Sequence, residues 1–272
     1  MMLALACFGP VAATAQLQLV PDREPQRVFA GGTRPIDLVW HNGGDQTFTG
    51  EIRARLLQTT SATAVLLGDK SWKKLQVLPG QTILESAALD FPMVKAETKF
   101  QIQWLDDTNH VLGKTEVLVY PTNLLAELKP LAGEETVGIF DPQNQLKPLL
   151  KGLKLRFTDL ENSDLEHFLG KLAVIGPFQS KAQMRDGLAK QIKMLAKKGT
   201  AIVWLHPPPE KRERLLPSFY TVMEHTNAVV VVQTGVVSNL TGNPQAQLNL
   251  IHLCKLALNP NAPDLTDLSP QQ

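Results

Sequence analysis

The clearest pattern in the chain is an apolar run, a helical repeat and a second apolar run, all between residues 171 and 206. The two runs, 172–175 and 201–205, are wholly apolar, which is typical of parallel strands covered on both faces. Between them, apolar side chains recur at every third or fourth position, at Met184, Leu188, Ile192 and Leu195. This pattern predicts a right-handed strand–helix–strand crossover in a parallel sheet.

The residues around the repeat predict where its helix begins and ends. Ser180 with Gln183 three residues later forms a capping-box pattern, so we expect a helix over 181–198. Gly199 stands where a left-handed cap would end that helix, and Lys197 and Lys198 complement the negative end of its dipole.

The same alternation extends over the C-terminal half of the chain. We expect five strands, at 137–140, 153–157, 172–175, 201–205 and 228–232, and helices at 143–150, 163–169, 181–198 and 244–258. This predicts a three-layer α/β domain over 134–258, with a five-stranded parallel sheet in the flavodoxin-like order 2-1-3-4-5. A linker helix at 122–133 would precede it, and a loose tail at 259–272 would follow.

The N-terminal half consists of short alternating runs separated by turn residues. Seven such runs occur, at 36–40, 48–57, 64–67, 75–78, 83–89, 100–105 and 111–120. They predict an all-β antiparallel sandwich over 16–121. We expect Trp40 and Trp104 to lie in its core rather than to stack on sugars.

Three segments of this half, 77–82, 89–92 and 117–121, resemble the immunoglobulin-like modules appended to secreted bacterial proteins, many of which act on polysaccharides. The resemblance implies an immunoglobulin-like β-sandwich that serves as a spacer or adhesion module. The half has no cysteine pair of the antibody type.

Four segments of the other half, 137–142, 172–177, 199–205 and 229–258, resemble the class I glutamine-amidotransferase-like domains fused to secreted bacterial glycoside hydrolases. Active members of that family carry a cysteine after the third strand and a His-x-Glu pair after a later one. Here Gly176 and Pro177 follow the third strand, and Glu210 stands four residues after His206. The resemblance therefore implies the fold of the family without its activity.

The first residues of the chain predict export. Residues 1–11 are almost entirely apolar, and Ala13 and Ala15 provide the small-x-small pattern of a cleavage site, so we expect a signal peptide at 1–15. A buried N-terminal segment is the alternative. Export places the protein in the periplasm or outside the cell and leaves Cys254 as the one cysteine of the mature chain. We expect no transmembrane segment after it.

Charge and motifs narrow the classes of partner. A formal net charge of +1 provides no global field for nucleic acid, so we expect partners to be recognised locally. No dinucleotide fingerprint, P-loop or Gly-x-Ser-x-Gly motif occurs, and we expect neither a cofactor nor a metal site.

A ligand of a parallel sheet would bind beyond the carboxyl ends of its strands. The residues predicted at that edge are Asp141, Asp159, Gly176, Phe178, His206 and Gln233. Asp141 precedes a proline, so a helix-capping role competes with ligand binding. His206 could act as a general base, but without a nucleophile a hydrogen-bonded loop histidine is the favoured interpretation, and no residue is assigned a catalytic role.

The long segment 207–226 begins with three prolines and a charged run and carries Phe219, Tyr220 and Met223. We expect it to project from the sheet as a lid or contact surface, with Phe219 buried and with Tyr220 and Met223 available for interaction.

Two hypotheses about function result. The favoured one is a non-catalytic, exported interaction or accessory module in carbohydrate processing, whose partner is a carbohydrate or another exported protein. The alternative is a hydrolase with an atypical site at the strand ends, built from Asp141, Asp159 and His206.

Overall fold

A computed structural model describes residues 17–163, 165–207, 219–224, 227–233 and 235–261, apart from the side chains of Phe219 and Glu224. The predicted signal peptide, most of the predicted tail and most of the 207–226 segment lie outside these residues, as does the predicted burial of Phe219. The chain divides into two compact units, Met1–Pro121 and Thr122–Gln272.

The described part of the N-terminal unit contains eight strands in two sheets. They are β1 (Leu17–Leu19), β2 (Gln26–Phe29), β3 (Gly32–Asn42), β4 (Phe48–Thr59), β5 (Ala64–Val77), β6 (Thr82–Phe91), β7 (Thr98–Leu105) and β8 (Val111–Tyr120). One sheet has the order β1-β3-β6, and the other has the order β2-β8-β7-β4-β5. All neighbouring strands are antiparallel except β2 and β8, which are parallel.

Alternate residues of both sheets meet in one apolar core. Trp40 and Trp104 are fully buried there, which confirms their predicted place in the core. The indole N–H of Trp104 donates a hydrogen bond to the Thr115 hydroxyl at 3.0 Å, so this buried polar group is satisfied.

The predicted antiparallel immunoglobulin-like sandwich is wrong. The larger sheet is mixed, because β2 adds to β8 in parallel, and the predicted strands 64–67 and 75–78 are parts of one 14-residue strand, β5. The middle of β5 lies at the edge of its sheet and is largely exposed, so it has no apolar alternation to reveal it.

The described part of the C-terminal unit contains six strands and four α-helices. The strands are β9 (Val137–Phe140), β10 (Phe157–Asp159), β11 (Leu172–Ile175), β12 (Ala201–Leu205), β13 (Phe219–Glu224) and β14 (Asn227–Val232). The helices are α1 (Leu128–Ala132), α2 (Lys147–Gly152), α3 (Leu188–Lys197) and α4 (Pro244–Leu258), with short 3₁₀ turns at Leu124–Glu127, Leu165–His167, Lys181–Gln183 and Gly235–Val237.

The six strands form a mixed sheet in the order β10-β9-β11-β12-β14-β13. The predicted sheet of five strands, all of them parallel, is therefore wrong, because a sixth and antiparallel strand extends it. Part of the segment expected to project from the sheet is instead the strand β13, which pairs antiparallel with β14 from Phe219 opposite Val232 to Glu224 opposite Asn227. A two-residue connection between β13 and β14 allows this hairpin, which the sequence pattern did not reveal.

Three of the predicted helices, at 143–150, 163–169 and 181–198, are shorter than expected. The expected helix at 181–198 is a 3₁₀ turn followed by α3, which begins after Gly187. Gly187 has a φ of +75°, a left-handed conformation that interrupts a helix and suits glycine. The expected helix at 163–169 is a 3₁₀ turn at Leu165–His167, and the second strand lies at Phe157–Asp159 rather than 153–157.

Helix α3 buries the apolar side chains Leu188, Ile192 and Leu195 in one cluster with alternate residues of β11, β12 and β14. Helix α4 packs against β12 and β14 and is capped by Asn243, whose side chain accepts from the Gln245 N–H at 3.0 Å. None of the helices in the described residues is long and apolar enough to span a membrane.

Cys254 provides a test of how α4 packs. Its side chain is fully buried, and burial raises the pKa of the thiol to about 12, so very little reactive thiolate is present at pH 8. In a Cys7→Ser background, we expect no reaction of the native protein with Ellman's reagent at pH 8 and one equivalent of reaction in urea.

The matched control is a Ser238→Cys variant in the same background, because Ser238 is exposed in the same unit. That cysteine should react with the native protein within minutes. Rapid reaction of native Cys254 itself would contradict the described packing of α4.

Candidate functional site

Five strands of the C-terminal sheet are parallel, and their carboxyl ends lie along one edge. All the residues predicted for a ligand site lie at or near this edge, in the order of the strands that precede them. Asp159 ends β10, Asp141 follows β9, Gly176 and Phe178 follow β11, His206 follows β12 and Gln233 follows β14. Their side chains differ in what they contact.

The Asp141 carboxylate is buried and bonded to backbone. Oδ2 accepts from the N–H groups of Leu146 and Lys147 at 2.7 and 2.9 Å, and Oδ1 accepts from that of Gln145 at 3.0 Å. These N–H groups lie at the start of α2, where a helix lacks internal acceptors. Asp141 therefore accepts from N–H groups at the start of the helix, but it is not the predicted N-cap, because the helix begins at Lys147 with Leu146 at the N-cap position rather than at Gln143.

Lys147 connects the start of α2 to the end of β10. Its Nζ donates to Asp159 Oδ1 at 2.9 Å and to Glu161 Oε1 at 2.5 Å. The Glu161 oxygen also accepts from the Asp141 N–H at 2.8 Å, and Asp159 Oδ1 accepts from the Glu161 N–H at 3.0 Å. The four residues therefore form one set of mutually bonded groups, which we call the Lys147 network.

The charges of this network reinforce one another. Burial alone would lower the pKa of Lys147, but the bonds from its ammonium to Glu161 and Asp159 outweigh burial and raise that pKa. Burial would also raise the pKa of Asp159, but the hydrogen bonds from Lys147 and from the Glu161 N–H outweigh it and lower that pKa. Both groups are thus charged at neutral pH.

The crevice between β9 and β11 is filled by side chains of the chain itself. The rings of Phe140 and Phe178 lie 5.9 Å apart, and both are buried. The Arg185 guanidinium lies over the Phe140 ring, 5.5 Å from its centroid, and Arg185 NH1 donates to the Ser163 carbonyl at 3.3 Å. This crevice is the usual ligand position in such sheets, and here it is packed.

Gly176 permits this close packing. Its φ is +96°, and a Cβ at this position would collide with the carbonyl oxygen of Leu205. Only glycine therefore fits between β11 and β12 at this point, which explains its place without a ligand.

His206 and Gln233 lie farther along the edge. The His206 N–H donates to the Val232 carbonyl at 2.8 Å, which joins the end of β12 to β14. Gln233 is half-buried, and its Nε2 has no hydrogen-bond partner among the described residues. Because β11 separates β9 from β12, His206 follows a strand about 10 Å from the one that precedes Asp141.

The two residues predicted for an interaction surface lie on β13, the last strand in the sheet order. Tyr220 is half-buried and packs against the cluster that contains α3, whereas Met223 is 47% exposed. The pair thus includes one packed side chain and one available at the surface.

Sequence reasoning missed Lys147, Glu161 and Arg185. Glu161 stands two residues after Asp159, and that pair of carboxylates at a strand end was the one local signal available. Nothing near Lys147 in sequence indicates that its ammonium would reach across to β10. Within the described ranges, no group of three or more His, Cys, Asp or Glu side chains is arranged to hold a metal ion.

Replacing Lys147 with methionine should show that the Lys147 network stabilises the fold. Asp159 and Glu161 would lose their cation, at a cost of about 2 kcal/mol of unfolding free energy at pH 7 because both are partly exposed. The pKa of Asp159 is lower in the folded state than in the unfolded state, so its ionisation stabilises the fold at any pH above the unfolded-state pKa. This contribution disappears as the pH falls through the folded-state pKa. The difference from wild type should therefore shrink between about pH 5 and pH 2.

The measurement is urea unfolding followed by circular dichroism at several pH values. Lys255→Met is the matched control, because it removes an exposed ion pair with Glu127 and should cost less than about 0.5 kcal/mol. Equal stability of Lys147→Met and wild type at pH 7 would refute the stabilising role.

Comparisons with known proteins show only weak similarity. No protein-family model matches the chain, and no curated protein matches it. Among solved structures, a β-glucosidase from Listeria innocua in complex with glucose is similar over 39% of this chain, with 14% identity and a TM-score of 0.29, and the chain spans 16% of that enzyme.

Two further structures are similar at the same level. The Pseudomonas fluorescens alkylpurine DNA glycosylase bound to DNA shares 10% identity over 39% of this chain and 31% of its own, with a TM-score of 0.31. A Niemann-Pick type C2 protein from Japanese carpenter ant shares 7% identity over 43% of this chain and 99% of its own, with a TM-score of 0.31. Similarity this weak does not support an inference about function. A functional proposal must therefore rest on the residues of the site.

Proposed function

We propose that this chain is a non-catalytic interaction or accessory module, exported from the cell and active in carbohydrate processing. Its partner under this proposal is a carbohydrate or another exported protein. The export rests on the apolar segment and small-residue pattern at residues 1–15 of the sequence.

The observation that carries the proposal is the occupation of the strand-end edge by the chain's own groups. A catalytic carboxylate must be able to reach a substrate, yet both oxygens of Asp141 accept backbone N–H groups and Asp159 is bonded to Lys147. The crevice where a substrate would lie holds Phe178. These contacts favour a structural role for the edge.

A surface on β13 supports the interaction part of the proposal. Val222 and Met223 are 41% and 47% exposed on the last strand of the sheet order, and no charged residue occurs from Phe219 to Met223. Edge strands of isolated domains usually carry charges or prolines that prevent pairing, so an apolar edge favours contact with a partner.

The alternative is a hydrolase that uses Asp141, Asp159 and His206. The Lys147 network includes the first two, but His206 follows a strand two positions from β9 in the sheet order. This spacing does not favour a single catalytic group built from the three residues.

The test is turnover by the purified chain on p-nitrophenyl glycosides, p-nitrophenyl esters and glutamine. We expect wild type and the His206→Ala variant to give the same rate as buffer alone. Turnover by wild type that the variant loses would overturn the proposal in favour of the hydrolase.

Mobility in native gels that contain soluble xylan, laminarin or β-glucan distinguishes the two kinds of partner. Retardation that Met223→Glu abolishes would identify a carbohydrate partner at β13. Unchanged mobility in all three polysaccharides would favour a protein partner.

A further inference from the structure

The N-terminal unit contains an apolar cleft that neither the strand-end site nor the proposed function uses. It lies at the edge where β5 runs beside β6 and has a volume of about 490 Å³, within the range of small-molecule sites. Ala54, Leu56, Leu89 and Phe91 are among its lining residues, and all but Leu56 are otherwise buried in the core.

The cleft exists because β5 leaves part of the core uncovered. Residues directly opposite in an antiparallel pair share a face of the sheet. At its C-terminal end, β5 places Leu75 and Val77 on the core face. In its middle, it places Lys70 opposite Ala54 and Gly68 opposite Leu56. A lysine and a glycine thus occupy positions where apolar side chains would close the core.

A β-bulge turns a further apolar residue toward this opening. The register of β4 and β5 shifts between Leu56 and Leu57, which leaves Leu67 as the extra residue, and Leu67 lines the cleft. Three consecutive large apolar residues of this edge strand are exposed, Val65 by 55%, Leu66 by 56% and Leu67 by 44%. Such exposure is unusual, because apolar surface left in water costs free energy. An apolar ligand in the cleft would cover Leu67, the one of the three that lines it.

Gly68 shows that the opening has room for a ligand. A Cβ added at Gly68 would meet no described atom within 4 Å, and its backbone does not have the positive φ that demands glycine. No conformational reason therefore requires glycine at this position, whereas any larger side chain would fill the cleft.

The mouth of the cleft carries a cation that can accept a new partner. Lys70 Nζ lies 3.6 Å from Asp90 Oδ2, too far for a strong hydrogen bond, and both side chains are more than half exposed. Asp90 also accepts a hydrogen bond from the Thr33 hydroxyl, so it keeps a donor if Lys70 turns away. Lys70 is then available to a carboxylate on a bound ligand.

We propose that this cleft binds the hydrocarbon chain of a fatty carboxylate, with the chain against Leu56, Leu67 and Phe91 and the carboxylate on Lys70. Apolar walls supply the affinity by removing the chain from water, and the ligand carboxylate replaces Asp90, which also lines the cleft, as the partner of Lys70. The proposal is independent of the proposed function, because the cleft lies in the N-terminal unit.

The test is isothermal titration of the full chain with dodecanoate below its micelle concentration. We expect saturable binding of one dodecanoate per chain. The Gly68→Met variant should bind at least tenfold more weakly, because its side chain would occupy the cleft. Gly152→Met is the matched control, since a Cβ there also meets no described atom within 4 Å but lies outside the cleft, and its binding should equal that of wild type.

Dodecanol tests the role of the cation. Lys70→Met should weaken dodecanoate binding severalfold and leave dodecanol binding unchanged. Circular dichroism and urea unfolding of each variant establish that it folds.

Three results would overturn the proposal. They are the absence of saturable dodecanoate binding, equal binding by Gly68→Met and wild type, and sedimentation showing a dimer that Gly68→Met dissociates. The last result would assign the cleft to a second copy of the chain.

Discussion

The C-terminal unit depends on one buried carboxylate. Asp141 accepts three N–H groups at the start of α2, while its own N–H donates to Glu161 beyond β10. A buried charge is tolerated only when hydrogen bonds replace the water it has lost, and here backbone groups provide them. The carboxylate thereby joins the end of β9 to α2, the Asp141 N–H joins it to Glu161 beyond β10, and the Lys147 ammonium compensates the charges of Asp159 and Glu161.

This constraint determines which parts of the molecule remain available to partners. The strand-end edge, where α/β sheets usually bind ligands, is occupied by the Lys147 network and by Phe140, Phe178 and Arg185. Exposed large apolar side chains instead cluster on the last strands of two sheets, on β5 at Val65, Leu66 and Leu67 and on β13 at Val222 and Met223. In each unit, therefore, an edge strand offers the more accessible apolar surface.

The sequence predicted those elements whose environment imposes a pattern. Strands β11 and β12 have the predicted bounds because both faces are covered and every residue is apolar. Helix α4 also has its predicted bounds, because Asn243 and Pro244 form its start. Two edge strands were not predicted, because β5 is mostly exposed and β13 lies within the segment expected to project. Pro142 beside Asp141 suggested a helix start there, but the helix begins only at Lys147. Lys147 joins Asp159 across 12 residues, and no local pattern encodes such a contact.

The most direct test of the central claim, that the strand-end polar groups stabilise the fold, is the unfolding free energy of Asp141→Ala. We expect a loss of about 3 kcal/mol in urea unfolding at pH 7, because three N–H groups lose a charged acceptor. The exposed Asp186→Ala control should change stability by less than about 0.5 kcal/mol. Unchanged or increased stability of Asp141→Ala is the behaviour expected of a carboxylate retained for function, and it would contradict the stabilising role of Asp141.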